Sequence, residues 1–540
     1  MRARTGIAML AAALCAAGVV ATAAGGASAT SAGPAPATAH ERLFPGELLV
    51  SGSDYVTDPN LVAGQTVLPP GCVTGCATAV ANGTYPQVFN NDTVDGSFGV
   101  TAPIFLDQIT PSGHLISRFD VPPSQVVTSF SSKSELALNL SPNGRYVSFM
   151  GYATAPGLLD VSNSNTPGVV DPTNPVPGAY YRAVAQLTRT GHILRTETNA
   201  YSGNNGRAAI VADVHGHELI YTAGNAGNGA SPQPNGVILG AGAQLITPSH
   251  QPESEQTPGT PTPVGSFNIT QLGDKPDKIG KDDNFRGLTL YRDVLYYDKG
   301  SGGNGVDTVY FLDTTGKACP NGVGLPAPDA QLPTSGLSYD LATLQQTGLP
   351  SNMCILKGFP TALAKNTTNS FPFGIWFADA STMYVADEGS GVNTYANGSY
   401  TAAAASSTAG LQKWVFDSAA GSWKLAYTLQ AGLGLGAPYT VPGYPTGLNP
   451  MSGLPWAPAT DGLRNITGRV NEDGTVTIWA VTSTVSGSGD QGADPNQLVS
   501  VTDQIDGTSP AAGELFQPVR VPVSGRVLRG VSFTPGTDRG

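Results

Sequence analysis

The feature that most limits what this chain can fold into is an internal repeat. Six times, in the same order, a short apolar strand is followed by a turn, a second apolar strand, a long Gly/Ser/Asn-rich loop and a further hairpin. Self-similarity at this scale marks architectures in which each unit buries its faces against its neighbours. The clearest copy runs PFGIWFADASTMYVADEGSG and then GLQKWVFDSAAGSWKLAYTLQ, with apolar residues alternating at Ile375 and Phe377 and again at Met383 and Val385. Alternation at period two turns one face of each strand towards a packed layer, and the Ala-Ser or Asn-Gly pairs between strands supply hairpin turns.

Aligning the copies places first strands at Glu135–Leu140, Arg207–Val211, Arg286–Leu290, Phe373–Phe377 and Arg464–Gly468. Second strands follow at Tyr146–Met150, Glu218–Tyr221, Val294–Tyr297, Met383–Ala386 and Val476–Ala480. The sixth unit is divided: RVLRGVSFTP near the C-terminus is a lone first strand, and GELLVSGSDY, TAPIFLDQI and HLISRFDV near the N-terminus are its partners. Pairing the two ends closes a ring and removes the exposed sheet edges of an open array. The expected fold is therefore all-β, a six-bladed β-propeller with blade one completed by the C-terminal strand. With 68 glycines, 43 prolines and only 12% charged residues among 540, the composition suits a turn-dense β chain and argues against a helical one.

Residues 1–29 carry Arg2 and Arg4, an apolar stretch and an Ala27-Ser28-Ala29 end, the three-part form of a secretory signal removed on export. The expected organisation is this signal, a disordered linker over 30–42, and a single propeller domain over 43–540, secreted and monomeric. Cys15 leaves with the signal, and the remaining four cysteines read as disulfides in an exported chain, Cys72 with Cys76 and Cys319 with Cys354. A net charge of -12 argues against a nucleic-acid groove, which needs a basic surface, and leaves room for a local basic cluster. No later apolar run approaches the roughly 20 residues that a membrane span needs.

The run P-F-G-I-W-F-A-D, then M-Y-V-A-D-E-G and W-V-F-D, resembles the NHL-type repeat of six-bladed propellers, while RGLTLYRDVLYYDKGSGG with VYFLD fits more loosely. The resemblance implies architecture and no single activity, because such propellers include lyases, lactonases, glycosidases and binding platforms.

The register also gathers chemistry. Its first inner-strand positions are Arg529, Glu135, Arg207, Arg286, Phe373 and Arg464, four arginines in a chain with few charges. They are expected to converge at the channel mouth, where guanidinium forks would bind carboxylate, sulfate or phosphate, or would simply knit neighbouring blades. Arg207, Arg286, Arg464 and Arg529 are the expected substrate-binding residues. Acids on the same face, among them Asp282, Asp283, Asp461 and Asp490, include Asp298, Asp387 and Glu388 as catalytic candidates. Tyr297 joins them as a base beside an arginine. Tyr55, Tyr152, Tyr221 and Tyr395 are further tyrosines near that mouth. His114, His192, His215 and His217 map to turns on the opposite face and His250 to a polar Pro-rich loop, which disfavours a His-based triad. The hairpins NEDGTVTIW and SPNGRYVSF do not form the Asp-box series of sialidases.

The function expected is an exported lyase or glycoside hydrolase acting on an anionic, uronate-type polysaccharide. Two alternatives stand beside it: a Ca²⁺-dependent lactonase or esterase using Asn and Asp oxygens, and a non-catalytic platform for glycan or protein. No cofactor is required by the first reading, and whether a metal binds is left open.

Overall fold

In the computed structural model of the protein, the first strand of every repeat lies at the edge of its own sheet, four-stranded and antiparallel in five blades and five-stranded in blade four, and six such sheets form the blades. The described residues lie within 42–538, apart from 55–64, 66, 69–72, 74–76, 79–100, 130–134, 159, 171–173, 175, 226–241, 249–262, 266–283, 338–351, 367–369, 450–451, 488–491 and 493. The expected signal peptide and almost all of the linker, the Cys72–Cys76 pair, Tyr55, His250, Asp282, Asp283 and Asp490 lie outside the described residues. All six blades belong to one compact unit, residues 40–540.

The inner strands are Asn139–Leu140, Gly206–Val214, Leu288–Tyr291, Pro372–Phe377 and Ala459–Val470 in blades two to six, and Arg526–Phe533 in blade one. Blade one is split between the termini as expected. Arg526–Phe533 pairs antiparallel with Leu48–Asp54, with Leu48 opposite Phe533 and Asp54 opposite Arg526; Ile104–Ile109 and Leu115–Asp120 complete the sheet. Beyond the ladder, Thr534 N–H donates to Glu47 O at 2.9 Å and Gly46 N–H to the Thr537 hydroxyl at 2.8 Å.

Two inner strands begin later than the alignment expects, and each delay has a local cause. In blade two Leu136 takes a left-handed backbone, φ 65°, which lifts Glu135 out of the ladder. In blade four Arg286 N–H still reaches Asp298 O at 2.8 Å, but the next amide, Gly287, turns to the Asp298 carboxylate.

The period-two pattern has a stronger outcome than one packed face. Ile375, Phe377, Met383 and Val385 enter the cluster shared with blade four, while Tyr384 and Ala386, from the intervening positions, enter the cluster shared with blade six. A blade in a ring has a neighbour on each side, so both faces of its inner strands are dry. Close approach near the axis needs small residues. A Cβ at Gly530 would lie 2.3 Å from Leu136 O, one at Gly287 2.5 Å from Phe373 O, and one at Gly374 2.6 Å from Arg464 O. Each of these glycines directly follows a ring residue, Arg529, Arg286 or Phe373.

First-to-second-strand hairpins, on the face away from the ring, turn on Asn and Asp. Asn143 Oδ1 accepts from Arg145 N–H, Asp213 Oδ1 from Gly216 N–H, Asp379 Oδ1 from Ser381 N–H and Asp473 Oδ1 from Thr475 N–H. SPNGRYVSF and NEDGTVTIW are two of these hairpins. The expected Cys319–Cys354 disulfide is present, closing an insertion between the third and fourth strands of blade four. That insertion adds a fifth strand, Val323–Gly324, parallel to Met353–Leu356, which the alternation pattern did not reveal. No helix among the described residues is long and apolar enough to cross a membrane.

Candidate functional site

At the head of the inner strands the side chains of five different blades meet. Arg207, Arg464 and Arg529 are only 5%, 4% and 2% exposed, and Arg286 is half-buried. Burial pushes the Arg207 guanidinium well below its usual range, and Arg286 adds to the effect. Burial likewise lowers Arg464, with Arg529 and Arg286 adding and Glu388 opposing. Arg286 thus lies near enough to act on both Arg207 and Arg464, and Arg529 near enough to act on Arg464.

Arg207, Arg286 and Arg464 are also held by hydrogen bonds or ion pairs of their own. Arg207 donates from Nε to Asn205 Oδ1 at 2.9 Å, and from Nη1 to Phe285 O at 2.7 Å and to Asn284 Oδ1, tying blade three to blade four. Arg286 donates to the Ser301 hydroxyl in the loop after its own second strand. Arg464 pairs through Nε with Glu388 Oε2 at 3.1 Å, joining blade six to blade five, and lies over the Phe373 ring at 5.7 Å. The knitting role and the clustering coexist, because a fork with five N–H donors can hold a carbonyl and still present others. Below this layer the axis is bridged by Asn465, whose Oδ1 accepts from Val531 N–H at 2.7 Å and Leu138 N–H at 3.4 Å.

The four proposed catalytic side chains divide in character. Asp298 is fully buried; its Oδ1 accepts the Gly287 amide at 2.9 Å, and its Oδ2 has no hydrogen-bond partner among the described residues. Burial raises this carboxyl to about 7, against the Gly287 amide, Arg286 and Arg207, with Glu388 adding to the rise. Glu388 reaches in from the end of the second strand of blade five, held by Arg464, while its own carbonyl accepts the Ser483 hydroxyl at 2.5 Å. Asp387, its neighbour, points the other way: Oδ2 accepts Phe371 N–H at 2.8 Å and Gln412 Nε2 at 3.2 Å, and Oδ1 accepts Gly389 N–H at 3.0 Å. Both its oxygens are taken by strand and loop donors, which is a structural task. The Tyr297 hydroxyl is buried without a hydrogen-bond partner among the described residues, and burial, then Tyr201 and Tyr221, hold the phenol well above 10. A phenol held protonated in this way is a poor base.

Glu135 occupies the blade-two position of the ring, yet residue type alone assigned it no role. It is fully buried; it accepts from the Tyr152 hydroxyl, from the Thr128 hydroxyl at 3.1 Å and from Ser129 N–H at 3.1 Å. Burial raises it to about 7, and the Arg529 charge draws it down. The register was the signal that could have found it. Arg182, also buried, was not marked by sequence. It donates to Asn204 O at 2.6 Å, Tyr180 O at 2.7 Å and Ser164 O at 2.8 Å, fastening the long loop of blade two.

The other candidates fall away from the cluster. His114 and His192 take equivalent hairpin positions, each amide bonded to a threonine hydroxyl, and His215 and His217 flank the blade-three turn. Tyr221 donates to Pro333 O at 2.6 Å, and Tyr395 packs edge-on against Tyr400. Asp313 lies beside Cys319 and Cys354, but both sulfurs are committed to the disulfide, so this trio is no metal site.

The chain matches no family model and no curated protein. Among solved structures, an ulvan lyase of polysaccharide lyase family PL25 is 11% identical, with a TM-score of 0.30 over 91% of this chain and 97% of that one. The hemagglutinin-neuraminidase of parainfluenza virus 5 is 9% identical, with a TM-score of 0.27 over 89% and 98%. AztD from Citrobacter koseri is 12% identical, with a TM-score of 0.23 over 81% and 97%. Scores at this level carry neither fold nor function to this chain; the architecture rests on its own strand order.

Proposed function

We propose that the protein is an exported enzyme that cleaves an anionic, uronate-bearing polysaccharide at the channel mouth. The observation that carries this reading is that Arg286 acts on Arg207 and Arg464, and Arg529 on Arg464, across four blades, with Glu388 ion-paired to Arg464 at 3.1 Å. A uronate carboxylate placed there would be neutralised by guanidinium forks. Neutralisation acidifies the C–H next to the carboxylate, so a base can remove that proton while an acid protonates the departing glycosidic oxygen, the two halves of a β-elimination. Asp298, raised to about 7, suits proton exchange near neutral pH. Glu388, fixed by Arg464, is the second carboxyl of the pair. A hydrolase would use the same two groups with water as the nucleophile, and an unsaturated product absorbing in the ultraviolet separates the two routes.

Asp387 and Tyr297 have no reacting role in this scheme. A Ca²⁺ site fits less well: Asn225 Oδ1 and Asp298 Oδ2 are buried acceptors without partners among the described residues, but Arg286 and Arg207 act on the same carboxyl. The signal reading of residues 1–29, an NHL-like kinship of blade five and the monomeric state belong to the same proposal. The test is Arg286→Ala and Arg464→Ala with uronate binding measured by calorimetry. Loss of affinity in both is expected, and unchanged affinity would remove the site.

A further inference from the structure

A second feature lies on the same face as the arginine cluster. A groove of about 410 Å³ is lined by Tyr439, Thr440 and Pro442 on one side and Val521, Pro522 and Val523 on the other, with Gln497 and Ser524 completing it. Its two walls are the connection entering blade six and the connection from blade six into the closing strand of blade one, so both stand at the end where inner strands begin. The surface is apolar and open: Val521 is 68% exposed and Val523 45%. Tyr439 is anchored through its hydroxyl to Pro495 O at 2.9 Å, which fixes the ring in the wall.

Three observations tie this groove to the arginines. Asn496, next to groove residue Gln497, bonds the closing strand in both directions: its Nδ2 donates to Leu528 O at 2.9 Å and its Oδ1 accepts Leu528 N–H at 2.8 Å. Leu528 is the neighbour of Arg529. Ser524 of the groove stands five positions before Arg529 on the same segment, at most about 17 Å at the rise of an extended chain, a span of a few sugar rings. Between them Arg526, its side chain 38% exposed, is ion-paired through Nε with Asp54 Oδ1 at 2.6 Å, a bond that uses one of the five N–H donors of its fork.

We infer that the groove is a distal subsite for the same acidic polysaccharide, taking sugar rings on its tyrosine and proline wall while the chain passes Arg526 into the arginine cluster. The inference rests on the proposed uronate-binding function. Apolar and aromatic walls suit the C–H faces of pyranose rings, and the intervening cation suits a chain that carries a charge on each residue. An uncharged peptide or an apolar partner would use the walls but would have no use for Arg526.

Calorimetry with galacturonate dimer and with a long oligogalacturonate tests this on the full chain, in the parent, Val521→Asp, Tyr439→Ala and Arg286→Ala proteins. Val521 is exposed, so its replacement leaves the core untouched, and melting curves verify folding of each variant. The long oligomer should bind the parent more tightly than the dimer. Val521→Asp and Tyr439→Ala should weaken the long oligomer about ten-fold and leave the dimer unchanged, whereas Arg286→Ala should weaken both. Equal affinity of dimer and long oligomer, or groove variants that leave the long oligomer unaffected, overturns the subsite while the Arg286 effect keeps the mouth. Arg286→Ala with no effect on either ligand overturns the mouth and the subsite together. Tighter, Val521-dependent binding of a neutral oligosaccharide or an apolar peptide overturns the acidic chain as occupant.

Discussion

Replacing Asp298 with Asn isolates the titration of one buried carboxyl at the candidate site. In the unfolded chain this group has its ordinary value near 3.8, and in the folded ring burial raises it to about 7. The folded state therefore holds the proton more tightly, so the contribution to stability is full below about pH 4 and is lost as pH climbs towards 7. That gap corresponds to roughly 4 kcal/mol when fully developed. Asn keeps the size and an oxygen for the Gly287 amide, and its NH2 stands where Oδ2 has no partner, so little else changes. The stability difference between variant and parent should thus move in the variant's favour by up to about 4 kcal/mol between pH 4 and pH 8. Denaturant midpoints measured across that range give the difference directly. A difference that does not vary with pH would refute the assignment of a protonated Asp298 to the folded ring. Glu135 and Asp387, also raised to about 7 by burial, act in the same direction, so the parent itself should be more stable in mild acid than in mild base.

Two further outcomes test the frame. Lys413 and Asp503 form a pair with fully buried side chains, 3.1 Å apart, between blades five and six, and Asp503 Oδ1 also accepts the Tyr427 hydroxyl at 2.5 Å. Asp503→Asn removes the charge partner of the buried ammonium and should cost about 3–5 kcal/mol in urea unfolding. Gly530→Ala drives a methyl against Leu136 O and Leu138 N and should cost about 1–3 kcal/mol. Gly303→Ala, where nothing lies within 4 Å, should be close to neutral by the same measurement.

The architecture was legible because strand alternation and turn residues are local properties, repeated six times. Even the split of blade one could be read, since RVLRGVSFTP had no partners of its own and the N-terminal strands lacked a first member. The register carried further and put Arg207, Arg286, Arg464 and Arg529 at corresponding positions of four blades. What the pattern could not carry was the direction of individual side chains. Asp387 and Glu388 are adjacent in sequence and both end the same strand, yet one faces the backbone of its own blade and the other an arginine of the next. Nor could residue type distinguish Tyr297, sealed in a seam, from a tyrosine open to the channel, because that depends on Tyr201 and Tyr221 from blade three. Glu135 was overlooked for a related reason: its importance comes from Tyr152, Thr128 and Ser129 around it, contacts made by tertiary packing.

Arg529 belongs to the strand that closes blade one, whereas Arg207, Arg286 and Arg464 belong to strands synthesised earlier. Until residues 526–533 dock between Leu48–Asp54 and the axis, blade one has no inner strand and the mouth lacks one of its four cations. Loss of residues 526–533 would therefore remove Arg529 and also leave Leu48–Asp54 as an open sheet edge, so one short segment carries both a cation of the cluster and the closure of the ring.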